Sequence, residues 1–298
     1  MALWHAPHGP VRGVVLYIHP FAEEMNKTRR MAALQARALA AVGFGVLQID
    51  LKGCGDSSGE FGDARWYDWV ADVHTGMRWL RQKSAAPLTL WGLRAGCLLA
   101  AEAAAQWTHD TCNFVFWQPT PNGAAVLRQF LRTAAAAAFL DGGGKGVVDG
   151  LRRQLAADKA IEVGGYRVHP ELACGLERAQ LTLPSSAGRV AWFEISALAR
   201  EGGLHLTLPT HPSFQTVQTA PMPLLPMPSA DTAPAAVEDA ALSMLSPAMA
   251  NAAAPWLESA QHFEALLIAG PPFWQTAEIE VAPGLLDATT AALASAGT

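Results

Sequence analysis

The sequence predicts an α/β protein, a mostly parallel central sheet flanked by helices and interrupted by a helical cap insertion. Three observations predict it. Short β-rich apolar runs alternate with longer amphipathic stretches through the first 119 residues, the pattern of βαβ units. The period-two signal then vanishes over 120–186. It returns at Arg189 to Ile195 and again at Phe263 to Ala269.

The elements follow in order. Val14 to Ile18 reads as a buried strand and Arg29 to Val42 as the Ala-rich helix behind it; Gly45 to Leu51 is the second strand of this kind. A loop carrying Gly53, Gly55 and Gly59 leads to a helix over about Ala64 to Gln82, where Trp66, Trp69, Val70, Val73, Met77 and Leu80 recur at helical spacing and read as core. Pro87 to Trp91 is the third strand, Ala95 to Gln106 a helix of small residues, and Asn113 to Trp117 the fourth strand. Within the insertion, helices are expected at Ala124 to Leu140 and Val147 to Ala160. The expected organisation is a core formed by 1–119 and 187–298, a helical cap or lid formed by 120–186, and a Pro/Ala-rich loop over 219–236.

Composition bounds the partners. The 298 residues are 51% hydrophobic, enough for one large domain carrying an insertion. Lys and Arg total 21 against 26 Asp and Glu, giving a net charge of −5 with no basic run, so neither nucleic acid nor an anionic membrane surface is the expected partner. The apolar run at Val14 to Ile18 is too short for a signal peptide or a membrane span, and a cytoplasmic chain is expected. Cys54, Cys97, Cys112 and Cys174 lack C-x-x-C spacing, so neither a metal nor a disulfide framework is expected, and no cofactor motif is found.

In an open parallel sheet the ligand sits at the carboxyl ends of the strands. The loop there with the sharpest signature is Gly92-Leu93-Arg94-Ala95-Gly96, which has the strand, tight glycine-flanked turn and helix of a G-x-S-x-G nucleophile elbow, with Arg94 in the place of serine. A guanidinium stays protonated and cannot attack a carbonyl, so a serine-type acyl-enzyme at this position is chemically excluded. His19, Phe21, Glu23 and Glu24 lie in the loop after the first strong strand, where such folds place an oxyanion-hole amide. The candidate catalytic residues are Arg94, Glu23, Glu24 and His19. The candidate substrate contacts are Phe21, Ala95, Asp56, Gln118 and Trp274. Glu194 is a possible acid. The last loop, Gly270 to Trp274, contains no histidine, and His205, His211 and His262 read as surface residues. Cys54, between two glycines, is a further candidate as a reactive thiol.

These landmarks resemble the α/β-hydrolase superfamily. More narrowly, HPFAEEMNKTRRMAALQARALA at 19–40, QIDLKGCGDSSGEFGDARW at 48–66, LWGLRAG at 90–96, WQPTPNG at 117–123 and PFWQTAEI at 272–279 are similar to the type 2 hydrolase associated with the exosortase A (PEP-CTERM) system. The resemblance covers roughly the first 180 residues and returns at the C-terminus, and it implies that the elbow arginine belongs to the family pattern. It departs in two places: Ala2 to His5 resembles the family's second strand, implying that an opening strand is missing or replaced, and 199–255 lacks the amphipathic helix expected there.

Three readings follow. In the first, the chain is a non-serine hydrolase of an ester, thioester or other acyl compound, with Arg94 holding substrate and Glu23 or Glu24 activating water. In the second, it is a catalytically silent protein that binds an anion or carboxylate in the old hydrolase pocket. In the third, Arg94 pairs with Glu23, Glu24 or Asp56 and seals the site. Each implies a small-molecule acyl or anionic ligand or none; the oligomeric state is open.

Overall fold

The computed structural model describes residues 1–140, 146–182, 184, 187–196, 204–208, 250–251 and 262–295. Its centre is an eight-stranded sheet, ordered β1-β3-β2-β4-β5-β8-β10-β9. The strands are β1 (Ala2–His5), β2 (Gly13–Ile18), β3 (Phe44–Ile49), β4 (Leu88–Leu93), β5 (Cys112–Trp117), β8 (Ala187–Ser196), β9 (Leu204–Leu208) and β10 (His262–Ala269). All neighbours from β3 to β10 run parallel, and only the edge strands β1 and β9 are antiparallel. β2 and β4 are buried along their whole length, as expected of strands covered on both faces.

Alternation along the strands divides the core into two layers. Leu16, Ile18, Leu90, Phe114 and Trp192 pack under α2 (Trp66–Lys83) and α3 (Ala95–Ala105). Val15, Tyr17, Trp91, Trp117 and Phe193 face α1 (Glu23–Ala41) and α7 (Pro283–Ser295). Trp66 and Trp69 are core residues, 6% and 2% exposed.

The insertion between β5 and β8 holds α4 (Gly123–Leu140), α5 (Val147–Ala156) and α6 (Pro170–Arg178). It also contains a hairpin of β6 (Ile161–Val163) and β7 (Tyr166–Val168), so the insertion is helical for the most part, with one short hairpin. The helix expected to reach Ala160 stops at Ala156, because Asp158 takes a left-handed φ of 56° and Gly164-Gly165 then turn the hairpin. At the first crossover, α1 starts at Glu23 instead of Arg29; the carboxylates of Glu23 and Glu24 in its first turn suit a helix start. The Pro/Ala-rich segment 219–236 lies outside the described residues, as does His211. None of the described helices is long and apolar enough to cross a membrane.

Candidate functional site

Arg94 stands on the turn between β4 and α3 with φ 54° and ψ −118°, a conformation that costs a non-glycine residue about 1–3 kcal/mol. Two glycines make the turn possible. A Cβ on Gly92 would lie 2.6 Å from Cys97 Cα, and one on Gly96 only 2.2 Å from the Ile18 carbonyl oxygen. The turn is pinned further by the Arg94 N–H donating to the Trp117 carbonyl at 3.0 Å and the Cys97 N–H donating to the Arg94 carbonyl at 3.1 Å. The sequence thus builds a strained elbow and places a guanidinium on it.

The Arg94 side chain is 11% exposed and is held from three sides. Its Nε contacts Glu24 Oε1 at 3.4 Å, Nη2 donates to Gln129 Oε1 of α4 at 2.8 Å, and the guanidinium carbon lies 5.6 Å from the Trp274 ring centre. Trp274 belongs to the loop after β10, which contains no histidine. It is 5% exposed and packs edge-on against Phe273. The contact with Glu24 is long, and Glu24 Oε2 is buried with no partner. Burial pushes the Glu24 carboxyl above its ordinary range, while the Arg94 cation opposes that shift.

Backbone amides complete the surroundings. Arg94 caps α3 and Glu24 lies in the first turn of α1, so two helix N-termini with their positive dipole ends meet here. Among the described residues the N–H groups of Phe21 and Ala95, on residues 4% and 3% exposed, donate to no acceptor. In the α/β-hydrolase fold that the sequence resembles, these are the amide positions that bind an oxyanion.

Other candidates stand apart. His19 is 4% exposed, with Nδ1 2.8 Å from the Pro20 carbonyl and Nε2 3.3 Å from the Leu51 N–H. A backbone N–H can only donate, so Nε2 accepts, Nδ1–H donates, and the ring is neutral. Burial lowers its pKa to about 4, and both nitrogens are engaged with backbone. Glu23 is exposed, and its Oε2 accepts from Tyr166 of β7 at 3.1 Å and from Asn26 at 3.4 Å. Phe21 lies in an aromatic cluster with Phe61, Trp69 and, from α4, Phe130 at 5.1 Å. Gln118 stitches two strand ends together: its N–H donates to the Phe193 carbonyl at 2.7 Å and its Oε1 accepts from the Ile195 N–H at 2.8 Å. Asp56 is exposed, and its N–H donates to Asp50 Oδ2 at 3.0 Å. Glu194 lies within β8 and not on the loop beyond it, accepting from Trp192 Nε1 at 3.1 Å. Cys54 is buried, which pushes its thiol up to about 12, away from nucleophilic reactivity.

The structure therefore brings Arg94, Glu24, Ala95 and Trp274 together, with the backbone amide of Phe21, whose ring points into the aromatic cluster. Gln129 and Tyr166 were not anticipated. Both come from the insertion, and only the tertiary fold brings them to the elbow and to Glu23; nothing in their local sequence signals it. Among the described residues no group of three or more metal-ligating side chains is found.

A family model described as serine aminopeptidase, S33, matches residues 9–140, which span the elbow. No curated protein matches the chain. Among solved structures, Est1E from Butyrivibrio proteoclasticus with ferulic acid bound is 12% identical, with a TM-score of 0.53 over 99% of this chain and 92% of that one. DcsB in complex with its substrate analogue is 13% identical, with a TM-score of 0.50 over 98% and 92%. An α/β serine hydrolase homologue from Coxiella burnetii is 17% identical with a TM-score of 0.35, and the match spans 40% of this chain and 57% of that one. The order of strands and crossovers, the glycine-braced elbow between β4 and α3 and the two full-length structural likenesses agree: the chain has the α/β-hydrolase fold, with arginine on its elbow.

Proposed function

We propose that this chain binds a small carboxylate or other acyl anion at Arg94 and does not carry out serine-type acyl transfer. The observation that carries this reading is the weak internal pairing of the elbow cation. Glu24 meets Arg94 through one 3.4 Å contact and leaves its second oxygen without a partner. A ligand carboxylate that met the guanidinium through two parallel hydrogen bonds would be held better, and it would also reach the unused Phe21 and Ala95 amides. Glu24, whose carboxyl is already raised by burial, would take up a proton as the ligand displaces it.

Melting curves with acetate, butyrate, octanoate and phosphate test the proposal. Carboxylates should raise the melting temperature of the wild type in a concentration-dependent way and leave Arg94→Ala unmoved. Equal shifts in both proteins, or none in either, would remove this function from the elbow.

The raised Glu24 carboxyl with a free oxygen beside two free amides also favours a second reading, a non-serine hydrolase of esters or thioesters in which Glu24 activates water. Turnover of acyl thioesters that is lost in Glu24→Gln would select it. For the biological setting we propose the exosortase A (PEP-CTERM) system, supported by the motif runs at 19–40, 48–66 and 90–96. Deleting the gene in a bacterium that carries such a system should disturb that system's products at the cell surface.

A further inference from the structure

A cleft of about 620 Å³ opens at the β1 edge of the sheet, between β1, the loop after β3, and α2. That is the size range of small-molecule sites. Its walls are Trp4 of β1 and Trp79 of α2, set edge to face with ring centres 5.2 Å apart and an interplanar angle of 70°. Polar groups stand along it at Asp72, Thr75 and Ser58.

The sequence builds this wall deliberately at one point. Gly45 is the second residue of β3, and a Cβ there would lie 2.2 Å from Trp4 Cη2, so a glycine is what allows the indole to lie against the strand. A glycine inside a buried strand weakens it and often marks such a close approach.

The unused hydrogen-bonding groups indicate the ligand's chemistry. Among the described residues, the indole N–H groups of Trp4 and Trp79 and the Ser58 hydroxyl have no partner. Asp72 accepts through Oδ2 from the Lys52 N–H at 2.7 Å, and its Oδ1 has no donor. A ligand must therefore accept from indoles, donate to a carboxylate and lay an apolar face on aromatic rings. An anion is disfavoured, because the Lys52 ammonium is already paired with Asp68 at 2.9 Å, and the Met1 ammonium, which donates to Ser57 Oγ, is outnumbered by the carboxylates of Asp50 and Asp72 along the cleft. An organic cation is disfavoured too. The Lys83 ammonium lies 5.1 Å from the Trp79 ring centre, so a second cation on that ring would be repelled, whereas a neutral ligand is not. A pyranose meets every requirement: its hydroxyls both donate and accept, and its axial C–H face stacks on an indole.

We propose that the Trp4–Trp79 cleft binds a neutral carbohydrate, independently of the Arg94 site.

Calorimetric titration of the whole chain, with no residues added before Met1, tests this with cellohexaose, maltohexaose and chitohexaose. At least one should bind saturably, and the indole N–H NMR signals of Trp4 and Trp79 should shift with it. Trp79→Ala and Asp72→Asn, each checked for an unchanged melting curve, should weaken binding by about tenfold or more. If Trp79→Ala alters the melt, Trp79→Phe replaces it and should keep part of the affinity. Arg94→Ala should bind as the wild type does, which separates this site from the elbow. The proposal is overturned if no sugar binds up to about 10 mM, if binding survives both substitutions unchanged, or if tetramethylammonium binds at these indoles and no sugar does.

Discussion

Ala22 and Arg94 share one backbone conformation, φ 51° with ψ −127° at the first and φ 54° with ψ −118° at the second, each on the residue that opens a helix. The strands β2 and β4 thus deliver their chain into α1 and α3 through the same strained turn, and neither residue is glycine. Removing the Cβ at Ala22 relieves the strain at the loss of one buried methyl group. Ala22→Gly should therefore stabilise the fold by about 1 kcal/mol, measured by urea unfolding. A loss of stability would show that the surrounding packing, and not the backbone, sets the conformation.

The Arg94–Glu24 pair is well covered, at 11% and 19% exposure. Arg94→Ala would strand the Glu24 carboxylate, but the pairing lost is weak and a raised carboxyl can take up a proton, so the protein should be destabilised by only about 1 kcal/mol. Combining it with Glu24→Gln removes the stranded charge and should recover most of that loss. The comparison is a double-mutant cycle on melting curves at neutral pH.

His19 makes stability depend on pH. Its folded pKa of about 4 lies below the ordinary value of 6.5, so the unfolded chain takes up a proton first as pH falls. The contribution is complete above about pH 6.5 and is lost progressively toward pH 4, by up to about 3 kcal/mol. Urea midpoints for the wild type should drop across that window, and His19→Gln should flatten its share of the slope. Glu24 works in the opposite sense, since a raised carboxyl lets the folded state hold a proton longer and costs stability as pH rises through its range.

Of the four cysteines, Cys54, Cys97 and Cys112 are buried and Cys174 is exposed. Burial pushes the thiols of Cys54 and Cys112 up to about 12 and that of Cys97 well above its usual value. A thiol reagent such as DTNB should modify Cys174 alone in the native protein and all four in denaturant. Labelling of Cys54 under native conditions would mean that the loop after β3 opens.

The serine chemistry should be silent as well. Ser57, the hydroxyl in the glycine-rich loop after β3, donates to the Asp50 carbonyl at 2.6 Å and also meets the Met1 amino group. Fluorophosphonate probes should leave the protein unlabelled, Ser57 included, and p-nitrophenyl esters should turn over at background rate. Stoichiometric labelling at any serine, read by mass spectrometry, would reverse this.

The inner strands were legible because burial on both faces writes near-continuous apolar runs, and β2, β4, β5 and β10 fall within two residues of their expected bounds. The edge strand β9, only five residues long, and the three-residue strands of the β6–β7 hairpin are too short to carry a periodic signal. Helix α7 has little sequence signature, because its Ala- and Thr-rich segment has little amphipathic contrast. At the site, the elbow could be read from its two glycines, since their spacing has a steric cause that is local to the turn. The partners of Arg94 could not. Glu24, Gln129 and Trp274 come from three separate loops or helices, and their meeting depends on sheet order and on how the insertion docks.

The two roots of that insertion are fastened to each other. Asn122 bridges Gln180, the Leu181 N–H donates to the Pro121 carbonyl at 2.9 Å, and the Gly123 N–H donates to the Ala179 carbonyl at 2.9 Å. The chain thus leaves the sheet and re-enters it at one closed gate, while β5 and β8 pair directly beneath. Everything from α4 to α6 passes through that gate, yet it is anchored beyond it: Leu131, Val168, Leu172 and Leu176 are buried in the same core as Leu16, Trp66 and Trp69. Strand register is held by the direct pairing of β5 with β8 and the insertion by its own packing on α2 and α3, so a change on the insertion's Arg94-facing side can alter what meets the elbow without moving a strand, whereas cutting the insertion out would uncover the core.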